Sequence, residues 1–257
     1  MNTFDATYWE RHWRGADHGS AQNLPANPYL ASETADLPIG TALDSGCGRG
    51  TEAIWLAERG WRVTGADISA TALADAADRA DRAGLITPIE WVKADLERWE
   101  PDRTWDLVTT HYAHPKAGQL DFYQRISKWV APGGTLLIVG HLPGDHHHHS
   151  APGEGQDPSA PSDTHRHGAP GNHQRDDASG DHQHPGAPAL GETHDHGEVG
   201  PQHAHPEAAT ATLAGIREQF AGPGWQLDAG YEHTRTVYPG PPPVQLADVV
   251  VRLRRSD

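Results

Sequence analysis

The chain has 257 residues, of which 36% are hydrophobic, and a net charge of −15. That length suits one α/β domain or two small ones, and a single cysteine excludes an intrachain disulfide. The acidic balance makes a phosphate backbone or an anionic membrane a poor partner.

Residues 1–14 are polar and aromatic and lack the apolar core of a signal peptide. Asp5–Trp13 reads as a short helix with Tyr8, Trp9 and Trp13 at helical spacing. Thr41–Asp44 reads as a short buried strand. Thr51–Arg59 follows as a helix with Ile54, Leu56 and Ala57 inward. Trp61–Asp67 is a second strand, and Ser69 can cap a helix that runs to about Ala83. Ile89–Lys93 is a third strand, ending at Asp95, and Trp105–Thr110 a fourth. Leu120–Val130 reads as a helix with Leu120, Tyr123, Ile126 and Val130 on one side. Pro132-Gly133-Gly134 signals a turn, and Thr135–Val139 is a fifth strand. The longest apolar strand, near Leu136–Val139, is far short of a membrane span.

Composition then changes. Residues 143–208 hold nine Pro, ten Gly and only Leu190 and Val199 as large aliphatics. Such a stretch cannot bury enough apolar surface to offset chain entropy, so disorder is expected there. Thr210–Phe220 reads as a helix, and Trp225–Val237 and Val244–Leu253 as two strands joined through Gly240-Pro241-Pro242-Pro243. No crossover helix separates these two strands, which predicts an antiparallel pair. Strand and helix alternate before the break, which predicts a parallel sheet covered on both faces. Residues 1–142 and 209–257 therefore read as one domain, with 143–208 as an insertion.

The glycine-rich run Leu43-Asp44-Ser45-Gly46-Cys47-Gly48-Arg49-Gly50 lies between the first strand and the first long helix. Such a loop is expected to aim backbone N–H groups and a helix N-terminus at a ligand. Its spacing is G-x-G-x-G, and Thr51 stands where the dinucleotide fingerprint has its third glycine. Asp67 ends the next strand, where a carboxylate can accept both hydroxyls of a ribose. Asp95 ends the third strand and can accept from an adenine amino group. Three acids at successive strand ends, beside a glycine loop, point to S-adenosylmethionine rather than a dinucleotide. Cys47 has two readings, a reactive thiol beside the cofactor or a small packing residue.

On these residues the chain resembles the class I S-adenosylmethionine-dependent methyltransferases. Trp55-Leu56-Ala57-Glu58-Arg59-Gly60 and Val63-Thr64-Gly65-Ala66-Asp67 are similar to the tellurite-resistance and thiopurine methyltransferase-like branch. The resemblance implies a Rossmann-like, doubly wound α/β sheet of seven strands, mostly parallel, with an antiparallel C-terminal hairpin. It implies that Asp44, Gly46 and Gly48, with Ser45, Cys47 and Gly50 in the same run, line the methionine end of the cofactor. Asp67 and Ile68 would hold ribose and adenine, and Asp95 with Leu96 the adenine edge.

The fourth strand runs into Thr109-Thr110-His111-Tyr112-Ala113-His114-Pro115. The Asn/Asp-Pro-Pro-aromatic motif of base methylases is absent, so a small-molecule acceptor is expected and nucleic acid is not. His111, Tyr112 and His114 can deprotonate or orient an acceptor; equally, His111 can contact the cofactor and His114 lie on the loop surface. Aligning the partners and excluding water can carry much of a sulfonium methyl transfer. A thiol, a metalloid oxyanion or another small nucleophile fits that chemistry. The aromatic N-terminal helix reads either as a lid or as a cap on the core.

Thirteen of nineteen histidines lie in residues 143–208. His146, His147, His148 and His149 form a run. His165/His167, His182/His184, His194/His196 and His203/His205 are His-x-His pairs. Alternate residues of an extended chain face one side, so each pair can offer two imidazoles to nickel, zinc or copper. No fixed tetrahedral spacing is present, so such binding would be loose and multisite. The competing reading is compositional drift in a tolerant loop. A metal-binding protein on a methyltransferase scaffold is the alternative function. Cytoplasmic residence is expected in either case.

Overall fold

The computed structural model describes residues 4–15, 25–143, 209–238 and 244–257. The chain divides into two units, Met1–His147 with His203–Asp257, and His148–Gln202; the second lies outside the described residues. The first unit is built on β1 (Thr41–Ser45), β2 (Arg62–Asp67), β3 (Glu90–Lys93), β4 (Trp105–His111), β5 (Val130–His141), β6 (Trp225–Tyr238) and β7 (Val244–Arg255). These form one seven-stranded sheet in the order β3-β2-β1-β4-β5-β7-β6. The first five run parallel, and β7 is antiparallel to both β5 and β6. The expected doubly wound sheet and closing antiparallel hairpin are both present.

Helices α1 (Ala6–Gly15), α2 (Pro28–Thr34), α3 (Thr51–Glu58), α4 (Ala70–Ala83), α5 (Gln119–Ser127) and α6 (Leu213–Gln219) complete the described elements. Capping explains several boundaries. Ser69 Oγ accepts from Ala72 N–H at 3.2 Å and opens α4, as the sequence predicted. Thr212 Oγ1 does the same for α6.

Side-chain alternation along β5 divides the core. Leu136 and Ile138 pack with Phe122, Ile126 and Ile216 on one face. Leu137 and Val139 pack with Leu30, Ala53 and Leu56 on the other. Burial on both faces is what an apolar parallel strand encodes. The sheet therefore presents only its strand ends to a ligand.

Three expectations are corrected. The helix over Leu120–Val130 stops at Ser127, and Val130 begins β5, pairing with Trp105. Leu120 is 38% exposed and is not on the buried side with Tyr123 and Ile126. In α3 the buried residues are Ala53, Leu56 and Ala57, with Ile54 only partly covered. Helix α2 was not anticipated, although Asn27 followed by Pro28 is a start signal, and Asn27 Oδ1 accepts from Tyr29 N–H at 3.1 Å.

The chain leaves β5 and returns at adjacent points. His141 and Thr210 form a parallel bridge, and Ala211 N–H donates to His141 O at 3.1 Å.

Candidate active site

The C-terminal ends of β1, β2, β3 and β4 open onto one cavity of about 1190 Å³. That is at or above the roughly 300–1,000 Å³ typical of small-molecule sites. Its position outside the carboxyl ends of parallel strands is where open α/β sheets bind ligands.

The glycine loop makes room. Gly46, Gly48 and Gly50 all have positive φ. A Cβ on Gly46 would stand 2.7 Å from Ala113 Cβ, and one on Gly50 2.6 Å from the Trp91 ring. The loop does not offer a row of donors, contrary to expectation. Gly46 and Cys47 N–H donate to Ala66 O, and Gly50 N–H to Cys47 O. Gly48 N–H donates to Asp67 Oδ2 at 2.8 Å. With those amides committed, the loop is no phosphate cradle. It suits a ligand that needs close approach without a pyrophosphate.

Gly46, Cys47, Gly48, Asp67, Ile68, Asp95, Leu96 and His111 line the cavity. Asp67 Oδ1 also accepts from Ser69 N–H at 2.8 Å, and burial still pushes its carboxyl above the usual range. Each oxygen keeps a lone pair for a hydroxyl. Asp95 Oδ1 accepts from Glu97 N–H at 3.1 Å, and Trp99 N–H returns to Asp95 O. This turn carries Leu96 to the wall.

Asp44, Ser45 and Gly50 stand behind the wall, correcting the expectation that the whole run lines it. The strand and tight turn bury them: Asp44 is 1% exposed and Ser45 fully covered, while Gly50 sits against Trp91 and Ala76. Asp44 Oδ2 has no hydrogen-bond partner. Burial, with Glu52 and Asp67 nearby, holds its carboxyl well above the ordinary value. Buried Cys47 is pushed up by burial as well, which keeps it a thiol and favours the packing reading.

At the other end of the cavity stand His111, Tyr112 and His114. His111 Nε2 is buried without a hydrogen-bond partner, and Nδ1 lies 3.4 Å from Thr109 Oγ1. Burial lowers its pKa, opposed by Glu52, so the ring is neutral at pH 7. The Tyr112 hydroxyl is engaged elsewhere, donating to Asp248 Oδ1 at 2.7 Å. Burial, the largest cause, raises its pKa, so it is ill suited as a base. His114 stacks against Trp9 and His141, with centroids 6.0 and 5.6 Å away.

Helix α1 covers the opening. Phe4, Trp9 and Trp13 line the cavity, and Tyr8 does not. Glu10 fastens α1 to the start of α4, accepting from Ala70 N–H and Thr71 Oγ1 at 2.6 Å each. The lid reading of this helix fits that arrangement. Reading the sequence alone missed Glu52, Arg79, Lys93 and Phe122 as wall residues. Glu52 had a signal, since it occupies the first turn of the helix that follows the glycine loop.

The metal candidates His146, His147, His148, His149, His165, His167, His182, His184, His194, His196, His203 and His205 lie outside the described residues. Among the described residues no group of three or more His, Cys, Asp or Glu is arranged to hold a metal. No helix among them is long and apolar enough to cross a membrane.

Residues 42–134 match the family model of a methyltransferase domain. Over those residues the chain is similar to a methyltransferase domain. The chain is 30% identical over 136 residues to a probable thiol methyltransferase 2 of Arabidopsis thaliana, covering 51% of this chain and 60% of that one. The chain thus spans less than two thirds of the length of that curated relative. The methyltransferase fold is shared with the crystal structure of TehB from Haemophilus influenzae, at a TM-score of 0.58 and 11% identity over 97% of this chain and 67% of that one. A structure titled for conversion of a disulfide bond into a thioacetal group during echinomycin biosynthesis also aligns at 0.58, with 24% identity over 98% and 90%.

The residues that line the cavity fit S-adenosylmethionine. Asp67 offers ribose acceptors, and Ile68 and Leu96 offer apolar surface for adenine. Glu52, which lines the cavity beside the glycine loop, gives that end an acidic group suited to a cation.

Proposed function

We propose that this chain transfers the methyl group of S-adenosylmethionine to a small nucleophile, a thiol first among candidates. The observation that carries this is one cavity with two chemically different ends. Asp67, Ile68, Asp95 and Leu96 stand at one end, and His111 and His114 under the Phe4–Trp9 lid at the other. Its volume leaves space for a second small molecule beside the cofactor. The likeness to a probable thiol methyltransferase supports a sulfur acceptor.

The cofactor supplies a sulfonium methyl that is open to in-line displacement. The chain's own contribution is to hold the acceptor in line and exclude water. Neutral His111 can take the acceptor's proton at Nε2. Trp9 and Trp13 give π faces on which positive charge is favoured. His114 orients the acceptor rather than deprotonating it.

Calorimetry with S-adenosylmethionine, followed by a mass-spectrometric screen with labelled methyl donor against thiols, oxyanions and phenols, tests the reading. Binding without any methylated product would remove the enzyme; methylated thiols would support it.

Residues 143–208 are proposed as an insertion in the single domain, with loose nickel, zinc or copper binding as a property separate from methyl transfer. Deleting 146–205 should abolish histidine-dependent metal uptake and leave transfer intact. Loss of transfer in a folded deletion protein would overturn that separation.

A further inference from the structure

Tyr112 has a φ of +52°, and it is the one non-glycine residue with positive φ among the described residues. A bulky side chain seldom adopts this conformation, and it persists only where the surroundings over-determine it. Here they do. The hydroxyl donates to Asp248 Oδ1 at 2.7 Å and accepts from Arg235 Nη2 at 2.8 Å and Asn27 Nδ2 at 3.3 Å. The ring stacks on His141 at a centroid distance of 4.5 Å. The Tyr112 backbone N–H donates to Val139 O at 3.0 Å.

Asp248 is the centre of this set. It lies on β7 opposite His141 of β5 and His233 of β6, and it has no exposed surface. Its Oδ2 accepts from Arg235 Nε at 2.7 Å and from Tyr29 Oη at 3.0 Å. A buried carboxylate held by one guanidinium and two phenols is fixed, and whatever it binds is fixed with it.

The residues on either side of Tyr112 belong to the cavity wall. His111 precedes it, and Ala113 follows. Ala113 Cβ occupies the space that a Cβ on Gly46 would need. Gln119 Nε2 donates to Ala113 O at 2.7 Å from the far side. Turning Tyr112 to ordinary φ would swing this wall relative to the glycine loop.

We propose that Asp248 is a positioning residue: through the Tyr112 phenol it holds His111 and Ala113 at the separation from Gly46 that methyl transfer needs. The role rests on the methyltransferase reading above. Asp248 is not among the residues that line the cavity, and its effect passes through the backbone of residues 111–113.

Tyr29 supplies the control. Tyr29→Phe removes the phenol bonds to Asp248 and His233, and Tyr112→Phe those with Asp248, Arg235 and Asn27; both loosen the same carboxylate, so a merely structural role predicts lost stability and lost transfer in step in the two variants. The full chain is labelled with 13C at alanine methyls and histidine Cε1. Ligand-free spectra are recorded, S-adenosylhomocysteine affinity is measured, and transfer is followed with benzenethiol as acceptor. Both variants should lose thermal stability to a similar degree. Only Tyr112→Phe should move the Ala113 and His111 resonances and lower kcat at least tenfold. Arg235→Gln should give the same pattern at smaller amplitude.

Unmoved Ala113 and His111 resonances in Tyr112→Phe, or equal losses of transfer in both phenylalanine variants, would overturn the proposal. Failure of wild type to bind S-adenosylhomocysteine would instead remove the methyltransferase reading. The ligand-free spectra would still decide whether Asp248 holds the wall.

Discussion

Asp67 Oδ2 accepts the Gly48 N–H at 2.8 Å, so the acid that ends β2 is tied directly to the glycine loop that ends β1. One side chain thereby shapes the loop and offers lone pairs to a ribose. Asp67→Ala should weaken S-adenosylmethionine about a hundredfold, or ~2.8 kcal/mol. Asp67→Asn, which keeps an acceptor for Gly48, should fall between. Calorimetry reads this directly, and an alanine variant binding within threefold of wild type would move the ribose elsewhere.

Asp44 is a second buried carboxyl at a strand end, and its bearing is on stability. Its folded-state pKa is raised by burial. A group raised above its unfolded value contributes fully below that value, about 3.9, and the contribution is lost as pH rises through the folded value. Asp44→Asn should therefore stabilise the ligand-free protein at pH 7–8 by about 1–3 kcal/mol. The gain should shrink toward pH 4. Urea unfolding at pH 4, 6 and 8 measures it, and a pH-independent difference would refute the assignment.

Gly46 and Gly84 separate backbone strain from crowding. Both have positive φ, but a Cβ at Gly84 meets nothing within 4 Å while one at Gly46 meets Ala113. Gly84→Ala should cost about 1 kcal/mol and Gly46→Ala about 2–3 kcal/mol. Only the second should impair cofactor binding. Equal penalties would mean that the Ala113 contact is easily relieved.

Much of this arrangement was legible in the chain and some was not. Ser69 and Asp67 each carry a local signal, since capping and strand ending are decided within a few residues. Val130 shows the limit. It continues the helical spacing of Tyr123 and Ile126, yet pairing with Trp105 across the sheet outweighs local periodicity. Asp44 and Ser45 show another: sequence marks them as part of the loop, but only packing decides which residues of a tight turn face the ligand. The Tyr112–Asp248 bond joins residues 136 positions apart, and neither residue signals the other in the sequence.

The Glu10 fastening can be cut without touching the cavity. Glu10→Ala removes both acceptors that hold α1 to α4. Hydrogen exchange in α1 should accelerate, and S-adenosylhomocysteine should bind about threefold more weakly, as expected for a half-buried carboxylate at the start of α4. Unchanged exchange would show that the aromatic contacts alone hold the helix.

The His141–Thr210 bridge bears on how this protein can evolve. Two anchors already side by side demand almost nothing of the segment between them, because closure entropy grows only logarithmically, by about 0.6 kcal/mol for each doubling of length. Codons can be gained, lost or rewritten there while the catalytic scaffold is held by other contacts. A histidine-laden tract can thus take root at this seam without disturbing its host.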